Sequence, residues 1–70
     1  MKLSARNALK GTIKSITPGA VNAEVVLEIP GGQEIVSIIT KRSVENLKLK
    51  VGGQAYAVMK ASEVMIGIDE

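Results

Sequence analysis

Apolar and polar positions alternate most cleanly over residues 20–29, with Val21, Ala23, Val25, Leu27 and Ile29 on one face and Asn22, Glu24 and Glu28 largely on the other. That period of two is the mark of a strand with one buried face, and Val26 is the sole intruder. Before it, residues 10–17 are rich in β-branched side chains (Thr12, Ile13, Ile16, Thr17) and stop at Pro18-Gly19, which predicts a first strand and a tight turn. After it, Pro30-Gly31-Gly32 closes a hairpin with a three- or four-residue connection, and a third strand runs over residues 33–40. Here Ile35, Ser37 and Ile39 share one face while Val36 and Ile38 share the other, so both faces are apolar. Such a strand has to be covered on both sides, and one small barrel covers only one, so the pattern points to a partner subunit.

The periodicity changes at residues 40–47, where Thr40 can cap a short helix, Glu45 falls in or near the first turn, and Val44 and Leu47 lie three apart. Val51-Gly52-Gly53-Gln54 forms a turn, residues 55–60 read as a fourth strand apolar on both faces, and residues 64–68 read as a fifth after an interruption at 60–63. Five short strands with one helix between the third and the fourth make an all-β chain with the element order of a small OB-fold-like barrel.

A chain of 70 residues buries only about 60% of its unfolded surface, which leaves an isolated monomer marginal. With no cysteine and no histidine, neither disulfides nor a zinc site can compensate, and oligomerisation is the remaining route. The 46% hydrophobic content is almost wholly aliphatic, since Tyr56 is the one aromatic residue. OB-type nucleic-acid binders stack bases on aromatic rings, so nucleic acid is a poor fit. A net charge of +2 with both signs scattered argues the same way. Lys2, Ser4, Arg6 and Asn7 stand where a signal peptide needs an apolar run, and no stretch reaches membrane-spanning length, so the expectation is a cytoplasmic protein without membrane association.

Two stretches carry candidate chemistry. Residues 4–11 hold the hydroxyl of Ser4, the guanidinium of Arg6, the carboxamide of Asn7 and the ammonium of Lys10. In an extended chain Ser4 and Arg6 share a face, and the planar fork of Arg6 suits a tetrahedral oxyanion. The plainer reading is a polar arm leading into the first strand. At the start of the helix, the hydroxyls of Thr40 and Ser43 lie on one side of a terminus with unpaired N–H groups, a second oxyanion half-site, or else simply a cap. Lys60 ends the fourth strand, where a long cation can bend toward a ligand or stay solvated. Catalysis lacks a base: without His or Cys, only scattered carboxylates, lysines and hydroxyls are left.

The chain resembles the molbindins, proteins built on Mop domains. The likeness rests on Ser4-Ala5-Arg6-Asn7 with Leu9-Lys10-Gly11, on Ala23-Glu24-Val25-Val26-Leu27, on Ser37-Ile38-Ile39-Thr40 with Ser43-Val44, and on Val58-Met59-Lys60 before Val64-Met65-Ile66. It spans residues 1–70 as a single Mop domain. The resemblance implies a cytoplasmic protein that binds molybdate or tungstate for storage and homeostasis, with no cofactor and no catalytic role. It implies a homohexamer built as a trimer of dimers, with oxyanion sites between subunits. Ser4, Ala5 and Arg6 with Lys60, Ala61 and Ser62 would come from one subunit, and Thr40 and Ser43 from another. Members often carry serine directly after the lysine, whereas Ala61 keeps the backbone N–H and lacks the hydroxyl. The family also has a site near the threefold axis, to which no residue of this chain is assigned. A structural or regulatory interaction module is the alternative function.

Overall fold

The computed structural model describes residues 1–69. Four strands form one antiparallel sheet: β1 (Asn7–Pro18), β2 (Asn22–Glu28), β3 (Glu34–Thr40) and, after helix α1 (Lys41–Asn46), β4 (Gln54–Met59). The sheet order is β3-β2-β1-β4, and the sheet curls around its apolar face into an open OB-like barrel. The long β1 serves both sides: residues 7–12 pair with β4 and residues 12–18 with β2. It begins three residues earlier than its β-branched run suggests, because β4 supplies a ladder for Asn7-Ala8-Leu9, none of them β-branched.

Between Ile13 and Ser15 the register slips, leaving Lys14 as the extra residue of a bulge. A bulge reverses the in-out parity of a strand. That is how Ile13 and Ile16, three apart, both reach the core formed with Val25 and Leu27. The Lys14 ammonium, exposed at this bulge, donates to Glu34 at the start of β3, and that hydrogen bond and charge hold its pKa above the ordinary lysine range. A raised lysine pKa contributes stability below the unfolded lysine range for as long as Glu34 stays ionised, and loses it as pH climbs through the folded value.

The hairpin between β2 and β3 closes where the Ile29 N–H donates to the Gln33 carbonyl at 2.9 Å, enclosing Pro30-Gly31-Gly32. Gly31 and Gly32 have φ of 101° and 89°, the left-handed region open to glycine. Gly11 serves packing instead: a Cβ there would lie 2.6 Å from the Glu28 carbonyl oxygen and 2.9 Å from Leu27 Cγ. The strand backbone would have to shift. Gly11→Ala is expected to destabilise the fold by about 1–3 kcal/mol in denaturant titration, and an unchanged midpoint would show that β1 and β2 can separate at no cost.

Helix α1 has Thr40 as its N-cap. Glu45 lies just past the first turn, which itself carries no acidic residue. At the far end Lys48 takes a left-handed φ of 54°, with Lys48 N–H on Glu45 O and Leu49 N–H on Val44 O, both at 3.0 Å. This pair of bonds satisfies the last carbonyls of a six-residue helix. It also brings Val44 and Leu49 onto the core while Leu47, expected beside Val44, is exposed.

The expected fifth strand does not form within the chain. Residues 64–68 continue from a 3-10 turn at Ala61–Glu63 and pair with no strand, so four strands stand where five were anticipated. The apolar pattern reports what a segment can do in a sheet, but pairing also depends on where the chain leads it, and after Ala61–Glu63 it runs beside no strand.

Candidate functional site

Register decides which candidate residues can meet. Met59 pairs with Asn7, so the residues before β1 and those after β4 leave the same edge of the sheet side by side. There Ser4, Ala5, Arg6, Lys60, Ala61 and Ser62 line one cleft of about 420 Å³. Six of the eight residues proposed from the sequence thus share one wall-to-wall site, although 54 positions separate Arg6 from Lys60 along the chain. All but the half-buried Ala5 are exposed, so the cleft is open in a single chain.

Its electrostatics are one-signed. Arg6 brings a delocalised cation with a five-donor fork, Lys60 an ammonium, Ser4 and Ser62 hydroxyls, and no carboxylate lines the cleft. Among the described residues the sole ion pair is Lys14 with Glu34, which leaves Arg6 and Lys60 without an acidic partner. Glu63, next to Ser62 in sequence, stays out of the lining, and its N–H donates to the Lys60 carbonyl at 2.9 Å. The Ala61 carbonyl is likewise engaged, by Val64 N–H at 3.4 Å. The 3-10 turn therefore occupies these two backbone acceptors near the cleft, using the N–H groups of Glu63 and Val64 to do so. Among the described residues no cluster of three or more acidic, histidine or cysteine side chains could hold a bare metal cation, and no helix is long and apolar enough to cross a membrane.

Thr40 and Ser43 lie elsewhere. Thr40 pairs with Asn22, next to the Ala23 that pairs with Pro18, so this half-site sits at the opposite end of β1 from Asn7. The extended chain between those ends measures roughly 36 Å before the bulge bends it. Thr40 Oγ1 accepts from Ser43 N–H at 3.0 Å and donates to Ser43 Oγ at 2.9 Å. The cap reading of Thr40 therefore holds, and one N–H counted as free at the helix start is already bonded. The half-buried Ser43 keeps its own hydroxyl proton for another acceptor.

Residues 3–66 match the TOBE domain family. A probable molybdenum-pterin-binding protein of Haemophilus influenzae is 48% identical over 99% of this chain and 100% of its own length. Among solved structures, MopII from Clostridium pasteurianum superposes with a TM-score of 0.91 at 51% identity, covering 96% of this chain and 100% of that one. The cytoplasmic molybdate-binding protein ModG, solved with molybdate bound, gives a TM-score of 0.93 at 55% identity, covering 99% of this chain and 49% of ModG.

Proposed function

The chain belongs to the TOBE domain family and is a Mop domain of the molbindin type, and from that membership we propose that it binds molybdate or tungstate as the intact oxyanion, at interfaces between copies of itself. The observation that carries this reading is the cleft of Ser4, Arg6, Lys60 and Ser62, which offers cations and donors and nothing acidic. A tetrahedral dianion is the ligand such a set neutralises, and the bidentate fork of Arg6 fits two of its oxygens. Ala61 contributes its backbone N–H only. The relatives named for a molybdenum-pterin raise a larger ligand, but a pterin ring needs a stacking platform, and Tyr56, the one aromatic residue, is outside the cleft lining.

One chain supplies half a site. An open cleft leaves the anion hydrated on its far side, and the hydroxyl of Ser43 lies at the other end of β1, where only another copy can bring it to the anion. The reading is therefore a homohexamer, a trimer of dimers, that stores and buffers the oxyanion in the cytoplasm, with residues 1–70 acting as one binding domain and no catalytic step. A purely structural or regulatory module would need no such donor set. Native mass spectrometry with and without molybdate tests it: a hexamer gaining the mass of several oxyanions is expected, and a monomer that gains none rejects the reading.

The cap geometry separates the two hydroxyls. Ser43→Ala is expected to weaken molybdate binding by about 1–3 kcal/mol, since a donor to a charged ligand is lost. Thr40→Ala is expected to cost about 1 kcal/mol of fold stability through the lost cap. Calorimetry beside melting curves on both variants checks the split, and an equal loss of affinity with no loss of stability in Thr40→Ala would reverse the roles.

A further inference from the structure

Both signs of charge are scattered along most of the chain, and the exception is the stretch that follows β3. Four of the nine lysine and arginine residues, Lys41, Arg42, Lys48 and Lys50, lie between positions 41 and 50, with one of the seven acidic residues, Glu45. These ten residues hold a surplus of three positive charges in a chain whose net charge is +2, so the remainder is slightly acidic.

The fold gathers the four cations. Lys41 and Arg42 open α1, and the left-handed Lys48 turns the chain back so that Leu49 N–H bonds Val44 O at 3.0 Å, which sets residues 48–50 beside the helix. With six residues, α1 is about 9 Å long. The screening length at physiological salt is about 8 Å, so the four charges act together on an ion that approaches this end of the sheet. All four side chains are exposed, and none has an acidic partner, since Lys14 with Glu34 is the sole ion pair among the described residues. Glu45 is four residues from Lys41 and three from Arg42, a spacing that allows a pair on a helix, and it forms none. Their field is therefore uncompensated, and Ser43, whose hydroxyl proton is free, lies in the middle of it.

We propose that Lys41, Arg42, Lys48 and Lys50 are an electrostatic collector that draws the oxyanion to the Ser43 end of the molecule and speeds its capture without holding it once bound. This role rests on the oxyanion reading above and adds to it four residues and a kinetic function. A dianion feels each cation twice as strongly as chloride does at the same distance, so the surplus favours it over the surrounding salt. A nucleic acid is a poorer match, because residues 41–50 include no aromatic ring on which a base could stack. Attraction at a distance acts before contact, so it raises kon and the salt dependence of kon, while koff follows the short-range bonds of the bound state.

The test uses radiolabelled molybdate and the full-length protein at low salt. Chasing the label into excess unlabelled molybdate gives koff, equilibrium dialysis gives Kd, and their ratio gives kon. Replacing all four cations by glutamine is expected to lower kon about tenfold, the lower end of the range for steered association, and to leave koff nearly unchanged. In about 1 M salt, where the screening length falls to about 3 Å, the variant and the unsubstituted protein should capture molybdate at the same rate. Arg42→Gln with Lys48→Gln should slow capture more than Gln33→Glu with Gln54→Glu, which removes the same net charge at exposed positions before β3 and at the start of β4. Glu45→Gln enlarges the surplus and should raise kon, a gain that a misfolded protein cannot imitate. An unchanged kon in the fourfold variant, equal losses in the two doublets, or a loss of affinity carried by koff, which would mean that the cations grip the bound anion, each overturns the proposal. If the unsubstituted protein binds no molybdate, the functional reading falls and the collector with it, whereas tight binding with a kon indifferent to these four residues rejects the collector alone.

Discussion

Arg6→Ala is expected to abolish tight molybdate binding and leave the fold intact. Arg6 precedes β1, is exposed, and has no ion pair among the described residues, so the truncated chain loses no packing and strands no buried charge. Its effect on stability should stay within about 0.5 kcal/mol, the ordinary range for such a surface change. The ligand loses much more. Two charge-assisted bonds from one fork, each contributing roughly 1.5–3 kcal/mol, amount to two to four orders of magnitude in Kd. Lys60 remains as a cation, but a point charge cannot grip two oxygens at fixed separation. Arg6→Lys should for the same reason restore charge and only part of the affinity. Calorimetry beside a melting curve decides it, and unchanged affinity in a folded Arg6→Ala protein would remove the cleft from the function.

The sequence made the strands legible where an apolar face alternates with a polar one. Ala23, Val25 and Leu27, read as one face, are three of the buried residues, and Thr40 was identifiable as a cap from its type and place. What it could not convey depends on residues far apart in the chain. The bulge at Lys14 exists because β1 must switch partners midway, and nothing local marks it. Asn7, Ala8 and Leu9 are strand because β4 lies beside them, whereas residues 64–68, stronger strand formers, stay unpaired because the chain leads them alongside no strand of the sheet.

The site was legible to a different degree in its two halves. Residues 4–6 and 60–62 were selected for their donors and by family resemblance, and the Asn7–Met59 pairing is what brings them into one cleft. The other half is ambiguous by nature, because a hydroxyl suited to an anion is equally suited to a helix cap. Thr40 serves the cap, and the geometry leaves Ser43 as the free donor.

Selectivity is the expectation that depends most on what the cleft lacks. Molybdate and tungstate are expected to bind and phosphate to bind poorly, although all are tetrahedral oxyanions. Near neutral pH molybdate is a fully deprotonated dianion, while phosphate retains at least one proton that needs an acceptor. Arg6 and Lys60 only donate, and with two cations present the hydroxyls of Ser4, Ser43 and Ser62 turn their oxygens toward the cations and their protons toward the ligand. A carboxylate would rescue phosphate, and the nearest in sequence, Glu63, is outside the lining. The carbonyls of Lys60 and Ala61, the next acceptors at hand, are engaged by the N–H groups of Glu63 and Val64. A phosphate proton enclosed there without a partner costs about 1–3 kcal/mol, a five- to more than hundredfold loss of affinity. Sulfate has no proton to betray it, so its exclusion must come from size, through donors spaced for longer metal–oxygen bonds. Ser62→Asp should therefore narrow the gap from both sides, accepting the phosphate proton while repelling the dianion. Competitive calorimetry at neutral pH with molybdate, tungstate, sulfate and phosphate tests the scheme, and phosphate binding within tenfold of molybdate would mean that the site holds an acceptor after all.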